Sequence, residues 1–268
     1  MRLSATLIFM PSKRKLMNEI WLALPAGILI STVVSSIGIG GGVLWMPFFL
    51  VVLKMNPEIA VPTSLLIQTF GKGSGSIAYL KQRKADLKLA LLLILIALPG
   101  IAVGAYIANK IKPSLIELIL GILILITAFL FVSSHQNYAD PGRPQTKIKK
   151  VYRRLWIAVP ISIGSGMLST GMGEWLIPVM RSKLSLKMSG AIATCIFLTF
   201  AVCLIGSSFH LMLGGKADWS TILWAVPGVM IGGQIGPRIT QKINERLLKE
   251  IFIFLLTLIG IHLIYNSY

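Results

Sequence analysis

Long apolar stretches, separated by short polar or basic segments, follow one another along the chain from about residue 20 onward. Apolar runs of about 18 or more residues are long enough to cross a bilayer as helices. Two of the segments are much shorter, Val43–Leu53 and Glu174–Met180, and the longer of them reaches about half a bilayer. The pattern therefore predicts an all-α polytopic membrane protein in which two helical segments are short. The predicted helices are Ile20–Ile37, Val43–Leu53, Ile59–Leu80, Leu87–Ala108, Leu115–Val132, Leu155–Leu168, Glu174–Met180, Met188–Leu213, Trp219–Gly236 and Leu247–Tyr265.

A cluster of glycines interrupts the first apolar run, where Gly38, Gly40, Gly41 and Gly42 precede Pro47. Each glycine costs roughly 1 kcal/mol relative to alanine inside a helix, so the cluster is expected to break one. Backbone that is not helical at membrane depth must face protein or water. The broken helix is therefore a hypothesis for a functional site.

The same pattern returns 131 residues later, within Thr170–Pro178. Further matches follow in the same order, which predicts an internal duplication. The matched pairs are Gly40 with Gly171, Gly42 with Gly173, Pro47 with Pro178, Ala60 with Ala191, Thr63 with Thr194, Gly75-Ser76 with Gly206-Ser207, and Pro99-Gly100 with Pro227-Gly228. We expect an N-terminal tail (1–19), a first transmembrane repeat (20–133), a basic cytoplasmic linker (134–154) and a second transmembrane repeat (155–268), with five helical segments in each repeat.

Composition supports a membrane protein, since 13% of the residues are charged, against about 25% in a soluble domain. The net charge of +17 comes from basic residues in short loops between apolar runs, a placement that favours membrane orientation over nucleic-acid binding. Cys195 and Cys203 lie eight residues apart in one predicted helix, about 12 Å, which is too far for a disulfide. They are expected to be small buried residues.

Basic residues also predict the orientation of the two repeats. If the loop after the third helix is cytoplasmic and the repeats are inverted, 17 basic residues lie inside and eight outside. Repeats in the same orientation give 15 and 10, so the inverted arrangement agrees better with the positive-inside rule. We therefore expect two inverted repeats, each with a broken or re-entrant helix pair, and both termini outside the cell membrane.

Inverted repeats with matching broken helices are typical of secondary transporters, whose site lies near the membrane midplane between the repeats. Unpaired N–H groups at a helix start favour an anion, and nearby hydroxyl and amide groups suit its oxygen atoms. The opposing interpretation is that the glycines only allow close helix packing. The predicted substrate-binding residues are Gly40, Gly41, Gly42, Thr63, Ser64, Gln68, Thr69, Lys72, Thr170, Gly171, Gly173 and Thr194.

Two charged residues stand out within the apolar segments. Lys72 lies 13 residues into the third helix, near the bilayer centre, where a charge is expensive and usually functional. It complements an anion or acts as a counter-charge, unless it is an interfacial lysine that snorkels. Glu174 follows the second glycine pair and is the candidate for proton coupling, with a carboxylate that only balances the helix dipole as the alternative. Asp86 and Asp218 are expected to be helix caps.

The sequence shows no metal-ligand spacing, no nucleotide-binding loop and no nucleophile–base pair, so we expect no metal, no cofactor and no enzyme activity. The expected partners are a small anionic substrate and the lipid bilayer, not nucleic acid.

The run Ile37–Pro47 followed by Ala60–Ser64, the run Gly73–Tyr79 leading to Asp86, and the later Pro99-Gly100…Gly104 resemble the sulfite exporter TauE/SafE family. The resemblance covers essentially the whole chain from about residue 20. The second copy of the glycine motif departs from the typical one, because it reads Gly171-Met172-Gly173-Glu174. The resemblance implies transport of sulfur-containing oxyanions or organosulfonates, such as sulfite or sulfoacetate.

Together these features predict a secondary-active anion transporter of the cell (inner) membrane, coupled to an ion or proton gradient. The alternatives are a passive anion channel and an intramembrane enzyme. Proton-dependent, saturable flux separates the transporter from the channel.

Overall fold

A computed structural model of the chain describes residues 20–133, 158–184 and 186–239, together with 253–254, 257–258, 260–262 and 264–265. The secondary structure elements of these residues are helices. A 3-10 turn at Ile20–Leu22 leads into the first helix, and a π-helical turn at Phe48–Val52 continues the second. The helices are α1 (Ala23–Ile37), α2 (Gly42–Pro47), α3 (Pro57–Lys81), α4 (Leu87–Ala108), α5 (Pro113–Ser133), α6 (Ala158–Leu168), α7 (Gly173–Leu184), α8 (Met188–Met212) and α9 (Trp219–Ile239).

The helices predicted from the apolar pattern are confirmed for α1 to α9, with small differences at their ends. The helix predicted over Glu174–Met180 was too short, because α7 continues to Leu184. Its added turn contains Arg181 and Lys183, which end the apolar run but are good helix formers. Residues 155–157 and most of the predicted Leu247–Tyr265 helix lie outside the described residues, as do the tail 1–19 and the linker 134–154.

The π-helical turn after α2 was not predicted. Pro47 has no N–H to donate, and its ring crowds the carbonyl of Val43 one turn earlier. The next turn is wider than α-helical, since the N–H of Leu53 donates to the Phe48 carbonyl at 3.1 Å. Together α2 and this turn form a continuous apolar helical segment over Gly42–Val52.

Helix ends follow the predicted caps. The Asp86 carboxylate accepts a hydrogen bond from the N–H of Leu89 at 3.2 Å, at the start of α4. The Asp218 carboxylate accepts from the N–H of Ser220 at 3.2 Å, at the start of α9. Gly214, just beyond α8, has φ +85°, a left-handed conformation that favours glycine.

Small residues bring helices from different halves of the chain into backbone contact. Helix α9 packs on α1, where a methyl group at Gly232 would lie 2.5 Å from the Ile28 carbonyl oxygen. Helix α4 packs on α6, where a methyl group at Gly166 would lie 2.5 Å from the Ile101 carbonyl oxygen. Apolar side chains gain little from one another in lipid, so close van der Waals packing of small residues holds such helix pairs together.

Among the residues that the structure describes, length and composition allow three helices to cross a membrane, over Ile20–Ile37, Leu87–Ala108 and Ser189–Met212. Apolar side chains such as Leu95 and Leu223 are exposed, which suits a surface that faces lipid. Most polar side chains of α3 are instead buried, among them Ser64, Gln68 and Lys72. Polar groups of α3 thus lie inside the protein, while apolar side chains on the outer surface suit contact with lipid.

Candidate functional site

The two glycine loops meet inside the protein. A side chain at Gly42 would collide with the carbonyl of Ser169, and a side chain at Gly173 would collide with the carbonyl of Gly38. The two contacts are equivalent in the repeat, because Gly38 aligns with Ser169 and Gly42 with Gly173 at the offset of 131. Each loop therefore places a carbonyl against the glycine that begins the short helix of the other loop.

Ser169 lies at the centre of this contact, and the sequence prediction missed it. Its φ is +58°, close to the +84° of its repeat partner Gly38, and both are left-handed. A serine is disfavoured in this conformation, which points to a position that the surroundings hold in place. The repeat alignment contains a signal for it, since Ser169 stands opposite a glycine of the first motif.

Ser64 and Gln68 on α3 bind the Ser169 loop. The Gln68 Nε2 lies 3.0 Å from the Ser64 Oγ, 3.1 Å from the Ser169 carbonyl oxygen and 2.8 Å from the Ser169 Oγ. The Ser169 hydroxyl in turn donates to the Ser64 Oγ at 2.8 Å. These contacts form a buried polar cluster between the first repeat and the loop of the second.

The other end of the Gln68 amide points to the first loop. A methyl group at Gly41 would lie 2.9 Å from the Gln68 Oε1. This oxygen is buried and meets no hydrogen-bond donor among the described residues. An acceptor left without a donor in the interior costs about 1–3 kcal/mol. The Gln68 side chain is thus strongly held at one end only.

Lys72 lies one turn further along α3 and is only 2% exposed. Its ammonium donates to the carbonyl of Ile39 at 2.6 Å and lies 3.5 Å from that of Val34. These carbonyls belong to the last turn of α1 and the loop after it, where the helix dipole is negative. The Lys72 side chain therefore ends inside the protein, beside the first glycine loop, and does not snorkel to the interface.

Tyr79 and His210 make a second pair of repeat-equivalent contacts, which the sequence analysis did not predict. The Tyr79 hydroxyl donates to the carbonyl of Ser35 at 2.9 Å, near the end of α1. The His210 Nε2 lies 2.8 Å from the carbonyl of Gly166, near the end of α6. Tyr79 aligns with His210, and Ser35 with Gly166, at the offset of 131. The long helix of each repeat thus binds the end of the broken helix in its own repeat.

Thr63 and Thr194 make a third pair of equivalent contacts, because Thr63 aligns with Thr194 at an offset of 131 and Asp86 with Asp218 at an offset of 132. The Thr63 Oγ1 accepts from the N–H of Asp218 at 2.9 Å, and the Thr194 Oγ1 accepts from the N–H of Asp86 at 2.9 Å. Each hydroxyl also donates to a carbonyl of its own helix. Both threonines were predicted to bind substrate, yet the structure engages them with the loops that precede α9 and α4.

The remaining predicted residues are distributed as follows. Thr69 donates to the carbonyl of Leu65 at 2.8 Å and lines a groove on another face of α3. Thr170 is buried in the second loop, where its carbonyl accepts from the Ser165 hydroxyl. Gly40 and Gly171 are buried in their loops. Glu174 lies in the first turn of α7, and its side chain is outside the described residues.

The two loops are surrounded by different polar residues in the two repeats. The positions that match Ser64, Gln68 and Lys72 at the offset of 131 are Cys195, Thr199 and Cys203. Cys195 and Cys203 are both buried, as predicted. The amide of Gln68 and the amine of Lys72 therefore have no counterpart at the matching positions 199 and 203. Within the described residues, no three His, Cys, Asp or Glu side chains come together as a metal site would require.

Comparison with known proteins finds similar sequences of membrane transporters. The family model described as "Sulfite exporter TauE/SafE" matches residues 23–263. The chain is 30% identical over 262 residues to the "Probable membrane transporter protein YunE" of Bacillus subtilis, a match covering 90% of this chain and 96% of the relative. It is 26% identical to YjnA of the same organism, over 85% and 94% of the two chains, and 23% identical to YfcA of Escherichia coli K12, over 90% and 88%.

YjnA and YfcA are likewise described as probable membrane transporters. No solved structure matches the chain. The match to the family model spans most of the chain and includes both glycine loops and α3. The chain therefore belongs to the sulfite exporter TauE/SafE family of membrane transporters.

Proposed function

We propose that this protein is a secondary-active transporter of small anions in the cell membrane, with sulfur-containing oxyanions or organosulfonates such as sulfite or sulfoacetate as its substrates. The observation that carries the proposal is the contact between the two glycine loops, which joins the starts of α2 and α7 inside the protein. A transporter needs such a central site between two halves that move relative to each other.

The reciprocal contacts support an inverted repeat. The pairs Gly42–Ser169 and Gly173–Gly38 exchange partners between the halves, as do Thr63–Asp218 and Thr194–Asp86. A two-fold axis produces contacts of this kind. Inverted repeats would put 17 basic residues on the inside and eight outside, whereas parallel repeats would give 15 and 10, so the positive-inside rule favours an axis in the membrane plane.

The first loop offers the groups that a small oxyanion requires. The N–H groups at the start of α2 carry the positive end of its dipole, and Gly41 leaves the backbone open apart from the Gln68 side chain. Ser64, Gln68 and Lys72 bring a hydroxyl, an amide and a charge to the same region. Hydrogen bonds to a charged ligand are roughly twice as strong as neutral ones, so two or three of them are enough to select an anion.

In the described arrangement the loops touch, and the Gln68 side chain fills the space beside Gly41. We propose that this is a closed arrangement of the site. Anion binding then moves Gln68 away from Gly41, and the two repeats rock about the contact between Gly42 and Ser169. Glu174, at the start of α7, couples this movement to a proton, because it is the acidic residue next to a broken-helix start.

Uptake by purified protein in liposomes tests the proposal. Radiolabelled sulfite is the probe, with an imposed proton gradient, and unlabelled sulfite, sulfoacetate, sulfate and acetate are the competitors. A transporter gives saturable, gradient-dependent uptake and is stimulated by unlabelled substrate on the opposite side of the membrane. A passive anion channel, the competing function, gives linear flux and no stimulation.

One further result would contradict the substrate class, and another would contradict the site. If acetate competes as well as sulfite does, the protein has no preference for sulfur oxyanions. Uptake that persists unchanged in Gln68→Ala and Lys72→Met places the site elsewhere in the protein.

A further inference from the structure

A groove of about 720 Å³ opens at the surface between α3, α8 and α9. Its walls are mainly apolar, and Phe70, Ile77 and Met230 are 45%, 53% and 47% exposed. In a bilayer, apolar side chains exposed at the surface of a helix bundle face acyl chains. The groove is therefore a lateral cleft open to lipid, distinct from the buried glycine loops.

In the middle of the groove, the polar groups of Gln234 and Ser74 are already engaged with each other. The Gln234 amide donates to the carbonyl of Ser74 at 2.7 Å and lies 3.0 Å from its hydroxyl. The Ser74 hydroxyl donates to the carbonyl of Met230 at 2.8 Å. A small hydrated anion that entered here would lose water without gaining a matching set of donors. The occupant must therefore have an apolar body.

One end of the groove is positively charged. Helices α3 and α9 run in the same direction, because Gly71 packs on Val229 and Gly75 on Gly233, one turn later in each helix. Arg238 lines the groove in the last turn of α9 and is exposed. Lys81 lies in the last turn of α3, on the same face as Ile77 and one turn beyond it. Two cations thus stand at the same end of an apolar cleft.

We propose that this groove binds an anionic phospholipid, with an acyl chain along Phe70, Ile77 and Met230 and the phosphate at Arg238 and Lys81. Basic pockets between membrane helices bind acidic headgroups in this way. A second copy of the chain is a poorer occupant. In a dimer with a two-fold axis along the membrane normal, the groove of one copy would face the groove of the other. The same cations of both copies would then lie at the same depth in the membrane and repel each other.

The corresponding place in the other half of the molecule is built differently. Leu204 aligns with Gly73 at the offset of 131. The motif Pro99-Gly100 aligns with Pro227-Gly228 at an offset of 128, which pairs Tyr106 with Gln234 and Lys110 with Arg238. The Lys110 ammonium lies 5.7 Å from the centre of the Tyr106 ring. Leucine and tyrosine thus replace glycine and glutamine, and Lys110 provides a matched control for Arg238.

Native mass spectrometry of the full-length protein tests the proposal, because one spectrum reports both bound lipid and oligomeric mass. The probes are dioleoyl phosphatidylglycerol and dioleoyl phosphatidylcholine, which share their acyl chains. We expect wild type to retain phosphatidylglycerol preferentially. Arg238→Gln and Lys81→Gln should each weaken that binding about fivefold, the equivalent of about 1 kcal/mol per basic residue near the membrane surface. Lys110→Gln should leave it unchanged.

A groove-filling variant tests the apolar part separately. Gly73→Leu copies the residue of the other repeat, and its side chain meets the Phe200 ring, 3.1 Å from a methyl group at this position. It should reduce binding of both lipids while the protein stays monodisperse by size-exclusion chromatography. If Gly73→Leu does not fold, the Arg238 and Lys110 variants alone decide the question. Equal loss of phosphatidylglycerol in Arg238→Gln and Lys110→Gln would overturn the proposal, as would binding without preference between the lipids. A dimer that Arg238→Gln or Gly73→Leu dissociates would assign the groove to a second copy.

Discussion

Gly42 lies directly against the carbonyl of Ser169, and no side chain fits between them. The contact joins the start of α2 to the loop between α6 and α7, two segments far apart in the chain. Gly173 and Gly38 repeat it with the partners exchanged. The glycines of the two motifs therefore have a packing role that the sequence alone left as an alternative to ligand binding.

The first prediction is that Gly42→Ala destabilises the protein. Its methyl group would overlap the backbone of Ser169, which moves less easily than a side chain, and overpacking costs about 1–3 kcal/mol. We expect a lower melting temperature in detergent, and the same for Gly173→Ala. Gly164→Ala on α6 is the control, because no atom lies within 4 Å of the added methyl group. A Gly42→Ala protein as stable as the control would show that the loops do not touch.

The sequence predicts that Gly41 and Gly42 both bind the anion, and the structure gives the two glycines different surroundings. A methyl group at Gly41 meets the Gln68 side chain at 2.9–3.1 Å, and this side chain has rotamers to escape into. Gly41→Ala should therefore disturb the anion site more than the fold. In a Gln68→Ala background the added methyl group finds space, so the two substitutions should couple by about 0.5–3 kcal/mol in sulfite binding measured by calorimetry. Additive effects would mean that Gln68 does not face Gly41.

How much of this molecule is predictable depends on which property of the sequence is read. The helices follow from the length of the apolar runs, because a membrane requires long helices. Their ends follow from residues that cap helices, such as Asp86, Asp218 and Gly214. The partner of each glycine does not follow, since close packing depends on how the halves fold against each other. Ser169 illustrates this: nothing in its local sequence shows that its carbonyl lies on Gly42. The same holds for Thr63 and Thr194. Their match in the repeat was visible in the sequence, whereas their hydrogen bonds to Asp218 and Asp86 were not.

Lys72 supports the next prediction. Its ammonium binds the carbonyl of Ile39 beside the first loop, and Lys72→Met keeps the apolar stem but removes the charge. We expect sulfite binding to weaken by at least tenfold, because a charge-assisted contact to the anion or to the loop is lost. The carbonyl left without its donor should also lower stability by about 1–3 kcal/mol. Cys203→Met, at the matching position of the second repeat, is the control and should keep anion binding. Equal effects of the two substitutions would mean that the cation has no special role.

The orientation of the repeats is tested by cysteine labelling in intact cells, in a background without Cys195 and Cys203. Single cysteines within 135–150 should be shielded from an impermeant maleimide, because the basic linker is expected to be cytoplasmic. Single cysteines within 110–113, in the loop before α5, should label from outside. Labelling of the linker and protection of the short loop would contradict the predicted sidedness and, with five crossings in each repeat, would place both termini inside.

The last prediction concerns Glu174, in the first turn of α7. A carboxylate at a helix start is stabilised in its charged form by the dipole, whereas burial favours the neutral form, so a balance of the two would let it take up a proton during transport. Glu174→Gln keeps the size of the side chain and removes the titration. We expect folding and sulfite binding to persist while the dependence of uptake on external pH flattens. Uptake driven by a proton gradient should fall, whereas exchange of sulfite for sulfite at equal pH should continue, because exchange needs no net proton movement. Val43→Gln, at the position that aligns with Glu174 in the first repeat, places the same amide beside the other loop and should leave the pH dependence intact. An unchanged pH profile in Glu174→Gln would reduce the residue to a carboxylate that balances a helix dipole, and the coupling ion would have to be sought elsewhere.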